Sequence, residues 1–264
     1  MSRHRAAVTA VTLVVVLAGC GGLIPGGDDT STPTVTSTST STPTDTPRST
    51  DRLADGAVSP VGWSENGVTN TTTAFRGHYS AVLSGPSTTV TYRSGVRSAE
   101  ADRATNTSLE MRLDTGEKRL HASINGSSER REAYFSDGTF SQWSVREETV
   151  VNRTNTSFVP VTQSIDNGVL KSQLLLYELE LTDIVTRDGT TAFVYDVVGV
   201  YDNAVSGTYG SATSGTGRVV VSERGRIIEI DTTVTYTGGE VTYHYEQTRL
   251  GATEVESPDW RRDA

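Results

Sequence analysis

The chain has 264 residues, with 32 Asp and Glu against 23 Lys and Arg, a formal net charge of −9 and one cysteine. An acidic surface repels phosphates, and the largest basic runs are pairs such as Arg130-Arg131 and Arg261-Arg262, which argues against nucleic acid as a partner. A lone cysteine forms no internal disulfide, so a folded domain here has to stand on its core alone.

Arg3 and Arg5 precede an apolar stretch from Ala6 to Leu17, broken only by Thr9 and Thr12. That stretch is too short to span a bilayer, which takes about twenty apolar residues, but it suits the core of a secretory signal. Leu17-Ala18-Gly19-Cys20 then supplies two small residues before the cysteine. This run resembles the lipobox of bacterial and archaeal lipoproteins. The resemblance implies a signal over residues 1–19, lipid on the Cys20 thiol, and anchoring to the extracellular face of the cell membrane. His4 separates the two arginines, so no twin-arginine pair is present and the general secretory route is favoured.

From residue 20 to 56 the chain is dominated by Thr, Ser and Pro, with Pro25, Pro33, Pro43 and Pro47 breaking any helix. Such a segment has no apolar face to bury and is expected to be a disordered, stalk-like linker. The remaining residues, 57–264, are expected to form one domain.

Within it, Phe75, Tyr79, Val82 and Leu83 recur at helical spacing in "NTTTAFRGHYSAVLSGP", with Asn70 or a following threonine as cap and Gly85-Pro86 as stop. "SIDNGVLKSQLLLYE", residues 164–178, gives a second helix with Val169, Leu170, Leu174 and Tyr177 on one side. Elsewhere the pattern alternates. Leu109, Met111 and Leu113 mark one strand, and Leu120, Ala122 and Ile124 another. Asp137-Gly138 and Asp188-Gly189 mark hairpins, and three strands run from residue 218 to 246 through Arg224-Gly225 and Gly238-Gly239. In the last group Ile228, Ile230, Val234 and Tyr236 are expected on one face, with Glu229 and Asp231 on the acidic solvated one. The fold class is therefore α+β, a large curved antiparallel sheet of about nine or ten strands with two helices packed on it.

The strand over residues 191–201 is apolar on both faces, which predicts a central strand covered on both sides. Val194, Asp196 and Val198 are the candidate cavity-lining residues on it, and Asp196, among valines, needs either a partner or a proton if buried. A structural ion pair with arginine is the plainer expectation for it.

"FRGHYSAVL", "VSERGRIIEI" and the ending "VESPDWRRDA" resemble a family of haloarchaeal surface lipoproteins of unknown function. Scarce lysine, only Lys118 and Lys171, together with acidic excess and abundant threonine, is similar to proteins of salt-loving archaea. In architecture the pattern is distantly similar to LolA-like lipoprotein-sorting carriers and mycobacterial lipid-carrying lipoproteins. That likeness implies a half-open sheet closed by helices over an apolar cavity.

No G-x-S-x-G elbow, H-E-x-x-H pair, P-loop or EF-hand loop occurs, and His78, His121 and His244 stand on separate elements. No enzyme, metal or cofactor is expected. His78 is expected to be a satisfied core histidine. Asn70, Asn106, Asn125, Asn152 and Asn155 each open an N-x-Ser/Thr triplet, and Asn152 and Asn155 are the favoured glycosylation candidates. The functional expectation is an anchored extracellular lipoprotein that binds a hydrophobic small molecule such as a lipid or isoprenoid. The alternative is a structural or interaction module of the envelope with no small ligand.

Overall fold

The computed structural model describes residues 58–98, 104–126, 129–187, 189–201, 204–206 and 208–261. The signal, Cys20, the stalk and Asp188 lie outside the described residues. In chain order, β1 (Trp63–Ser64) and β2 (Gly67–Val68) form a small hairpin, followed by α1 (Thr71–Leu83). Six strands come next: β3 (Thr88–Ser98), β4 (Ala104–Asp114), β5 (Arg119–Asn125), β6 (Arg130–Ser136), β7 (Thr139–Ser144) and β8 (Thr149–Asn155). After α2 (Phe158–Leu174) come β9 (Tyr177–Arg187), β10 (Thr190–Val200) and the short β11 (Val205–Ser206). β12 (Gly210–Ser222), β13 (Ile227–Tyr236), β14 (Gly239–Thr248) and a 3-10 turn at Asp259–Arg261 complete the described chain.

Among the described residues, twelve strands make one curved, open, antiparallel sheet in the order β8-β7-β6-β5-β4-β3-β14-β13-β12-β10-β9, with β11 beside β12. β8 and β9 stand at its two edges. Along this order neighbours are consecutive in the chain except where β14 returns to pair with β3 and where β12 pairs with β10 past the short β11. No described helix is long and apolar enough to cross a membrane.

Period-two alternation gives the sheet an inner face under the helices and an outer face. Tyr195, Val219, Ile230, Tyr245, Tyr92 and Leu109 lie opposite one another across six strands and all are buried on the inner face. A register shift in the β12–β13 pair sets Ile227, fully buried, against Val221. Ile227 thus takes the core position that alternation assigned to Ile228, which is only half-buried.

α1 starts where expected: the Asn70 side-chain oxygen accepts the Thr73 N–H at 2.9 Å. Its apolar side buries Ala74, Phe75, Tyr79 and Val82. His78 is fully buried and its Nδ1 accepts the Ile227 N–H at 3.1 Å, the satisfied core role expected of it. Arg226 reaches under the end of α1 and donates from Nη2 to the Ala81 carbonyl at 2.7 Å, placing a cation at the negative end of the helix dipole.

α2 differs from its expectation at both ends. It begins at Phe158, because Pro160 falls in the first turn, where a missing N–H costs nothing. It stops at Leu174, and Tyr177 opens β9. Phe158, Val161, Ile165, Leu170 and Leu174 are buried on its inward side, with Phe158 against Phe135 at 5.7 Å between ring centroids.

Candidate functional site

The inner face carries most of the apolar surface, and near β9 and β10 it also carries unpaired polar atoms. Trp63 packs on Tyr195 with ring centroids 5.0 Å apart. Both side chains are buried, and neither Trp63 Nε1 nor Tyr195 Oη has a hydrogen-bond partner. Burial raises the pKa of the Tyr195 hydroxyl, and the nearby charge of Glu65 adds to the effect. One helical turn of α2 brings a third such group. Tyr177 Oη donates to Gln173 Oε1 at 3.1 Å and lies 2.7 Å from Thr232 Oγ1, so the threonine hydroxyl donates to the tyrosine. Gln173 Nε2 is left buried and unpartnered.

Beside this group the sheet divides. β10 pairs with β12 only from Ala192 to Asp196, opposite Ser222 to Arg218. Beyond Asp196, β10 continues on β9 as far as Val200, while β12 continues on β13 as far as Ala212. A fork opens between residues 197–200 and 212–217. Gly217 sits at its apex with φ +117°, and a Cβ there would collide with the Asp231 carbonyl, so only glycine fits. Farther out, the side chains of Val197, Val200 and Tyr177 close on the bare backbone of Gly215, where a Cβ would come within 2.9 Å of Val200. On the outer side the fork meets a depression of about 370 Å³ lined by Asp196, Thr216, Gly217, Arg218, Asp231, Thr232 and Thr233.

The outer face here is a charge ladder. Asp196, Arg218, Asp231, His244 and Arg93 lie directly opposite one another on successive strands, signs alternating through the first three. Opposite charges in such cross-strand positions favour the pairing. One step along the strands, Glu229 is buried and bridges two cations: Arg187 Nη1 donates to its Oε2 at 2.6 Å, and Arg218 donates to its Oε1 from Nε at 2.9 Å and Nη2 at 2.8 Å. Burial alone would raise the Glu229 carboxyl pKa. The hydrogen bonds from Arg187 and Arg218 outweigh it and hold the group below its ordinary 4.5.

At the other end of the outer face the C-terminal segment crosses back over the sheet. Trp260 stacks on Trp143 and donates from Nε1 to Glu132 Oε2 at 2.8 Å. Arg261 lies over the Tyr134 ring and donates to Ser136 Oγ at 2.8 Å.

The candidate lining residues of β10 take the outer face. Val194 is half-buried, while Asp196 is exposed and Val198 is 57% exposed. The inner positions are Phe193 and Tyr195, so the strand is not covered on both sides as its apolar composition suggested. It lies one place from the sheet edge. Asp196 is exposed opposite Arg218, whose guanidinium is bonded to Glu229, so the burial that would have demanded a partner does not arise. Glu229, expected on the solvated surface, is instead buried between arginines. Asn70 caps α1, while Asn106, Asn125 and Asn155 are exposed. Asn152 is half-buried and lines a groove of about 250 Å³ with Phe140, Pro160 and Val161. Among the described residues no group of three His, Cys, Asp or Glu could hold a metal ion. Gln173 and Trp63 carried no sequence signal for this site, since their neighbours come from distant strands.

The profile of a family of unknown function, DUF7537, matches residues 5–264. The chain belongs to this family. None of the curated proteins compared with this DUF7537 chain matches it. Among solved structures it is similar to lipoprotein LppX of Mycobacterium tuberculosis, at 9% identity and a TM-score of 0.33, covering 69% of this chain and 94% of that one. It is similar to LprF of Mycobacterium bovis at 10% identity and a TM-score of 0.34, covering 72% and 96%. A LolA superfamily protein of Nitrosomonas europaea is similar at 11% identity and a TM-score of 0.27, covering 72% and 95%.

Proposed function

We propose that this DUF7537 chain is a non-enzymatic envelope lipoprotein, anchored outside the cell through lipid on Cys20. Its helix-covered sheet face binds a hydrophobic small molecule of the lipid or isoprenoid kind. One observation carries the reading: Trp63 Nε1 and Tyr195 Oη, packed together on the sheet's inner face, and Gln173 Nε2 of the covering helix α2 are buried and unpartnered. Buried polar atoms in folded proteins are nearly always paired, and leaving one unpaired costs about 1–3 kcal/mol. An apolar ligand with a polar end supplies partners at those atoms and apolar contacts around them. A second reading, an envelope interaction module without a ligand, is favoured by the near-complete burial of Tyr177, Phe193 and Tyr195 by the chain's own side chains.

The two readings part in one experiment. The chain from residue 20 onward, carrying Cys20→Ser, is purified without detergent from a host with its cell lipids, extracted with organic solvent and analysed by mass spectrometry. A stoichiometric apolar molecule is the expected result. A folded protein with a clean extract overturns the carrier reading in favour of the interaction module.

A further inference from the structure

We infer that Asn106 is a glycosylation site whose sugar chain lies in a groove across the outer face of the sheet, over the bare backbone of Gly95. The inference rests on the envelope reading, which exposes the chain to a transferase, and is independent of the carrier reading.

The groove follows from the strand register. Thr216, Thr233, Thr242, Gly95 and Asn106 lie directly opposite one another on β12, β13, β14, β3 and β4, a row of short uncharged residues across five strands. Longer side chains wall it. Arg218, Asp231, His244 and Arg93 form the adjacent row on one side, and Glu240 and Arg97 flank it on the other where it crosses β14 and β3. A depression of about 450 Å³ contains Gly95, Asn106 and Thr242. It meets the 370 Å³ depression at Asp231 and shares those three residues with another of about 200 Å³.

Gly95 is the floor beside the asparagine. Its φ lies outside the left-handed region, so the backbone there does not require glycine. A Cβ would lie 2.9 Å from Thr242 Oγ1 and 3.4 Å from Asn106 Oδ1, so any side chain would take up the space next to the Asn106 amide. A glycine inside a strand often marks a place where another group approaches closely.

Asn106 is exposed and opens the triplet Asn106-Thr107-Ser108. Ser108 Oγ accepts the Asn125 Nδ2–H at 3.2 Å, a bond that does not use the serine's own proton. Transfer forms a bond from Asn106 Nδ2 to the anomeric carbon of a phosphate-activated oligosaccharide donor. It breaks that carbon's bond to the phosphate, which leaves with the electron pair, and the amide gives up one proton.

A sugar chain suits the groove in spacing and in chemistry. The rungs of the row are about 4.8 Å apart, close to one sugar unit along a linear chain, whereas same-face side chains of an extended peptide repeat at about 6.8 Å. Threonine hydroxyls both donate and accept, the Arg93 guanidinium donates and the Asp231 carboxylate accepts, which are the partners that sugar hydroxyls need.

The test uses the chain from residue 20 onward with Cys20→Ser, placed behind the signal of a secreting host that adds high-mannose N-glycans. Glycopeptide mass spectrometry is expected to find glycan on Asn106. An endoglycosidase that cuts within the glycan core should then release it from the folded protein at least tenfold more slowly than from the unfolded one. Gly95→Gln puts a side chain on the groove floor, and Thr242→Gln does so from an exposed position without altering β3. Either should speed release from the folded protein at least threefold. An unmodified Asn106 overturns the site. Release equally fast from folded and unfolded protein, or protection unchanged in both variants, overturns the seat in the groove. The host supplies the signal, so each of these failures leaves the envelope reading standing.

Discussion

Trp260 stacks on Trp143 with ring centroids 5.7 Å apart and planes 9° from parallel, so the last turn of the described chain is fastened to the outer face of β7. The indole N–H of Trp260 is spent on Glu132, and Arg261 beside it covers Tyr134. Between β14 and this turn, Thr253 and Val255 are buried, and Thr253 Oγ1 lies 2.9 Å from Thr89 Oγ1. The segment is therefore part of the fold and not a loose tail. Trp260→Ala is expected to cost about 2 kcal/mol, from the lost ring contact and the loss of a charge-assisted hydrogen bond. A double-mutant cycle with Trp143→Ala, read by denaturant unfolding, should return a coupling near 1 kcal/mol. Additive losses would mean that the two rings do not hold each other.

The buried carboxylate between Arg187 and Arg218 predicts how stability responds to acid. The folded-state pKa of Glu229 is lowered, so its contribution is fully present above the ordinary carboxyl value of 4.5 and is lost as pH falls through the lower folded value. Melting temperature should therefore fall on acidification below that point, and fall less steeply in Glu229→Gln. At neutral pH the same substitution should cost about 1–2 kcal/mol, because two half-exposed guanidinium groups lose their common acceptor. Parallel acid limbs in wild type and variant would assign the acid response to other groups.

The recurring pattern of local signals carried most of the fold. Alternation at Leu109, Met111 and Leu113 and the Asp137-Gly138 turn are properties of a few adjacent residues, and each strand or hairpin lies where those residues put it. The candidate site was legible only in outline. Apolar composition marked residues 191–201, yet composition does not say which neighbour covers each face, and the outer face of β10 is left to solvent at Asp196 and Val198. The fork depends on where the pairing of β10 with β12 stops, a relation between residues some twenty positions apart. The run holding Gly215 and Gly217 lies inside β12, and nothing local in it tells where the pairing with β10 ends. The burial of Glu229 likewise needs Arg187 from the far side of the β9–β10 hairpin.

Asn152 and Asn155 should part company in a secreting host that glycosylates. Asn155 ends β8 in solvent. Asn152 faces the groove against Pro160 and Val161, and its side-chain oxygen accepts the hydroxyl of Thr154, the third residue of its own triplet. A transferase must reach the amide nitrogen and engage that hydroxyl; at Asn152 the hydroxyl is committed to the side-chain oxygen and the residue is half-buried along the groove. Glycopeptide mass spectrometry is expected to find glycan on Asn155 and none on Asn152. Equal occupancy would show that modification precedes closure of the β8–α2 groove.

Tyr195→Phe separates an atom kept for a ligand from one that merely packs. The hydroxyl is buried and unpartnered, so deleting it in the ligand-free protein removes a desolvated polar atom and keeps the ring against Trp63. Stability without ligand should stay level or rise by up to about 1 kcal/mol, whereas deleting a paired hydroxyl would lower it by about that amount. In the ligand-bound protein the sign reverses, because the phenylalanine leaves the ligand's polar group without its donor. The expected outcome is a raised melting temperature after delipidation and several-fold weaker retention of the extracted molecule. A variant that melts lower in both states would mean that the hydroxyl has a structural partner, and the case for a ligand at this face would then rest on Trp63 and Gln173 alone.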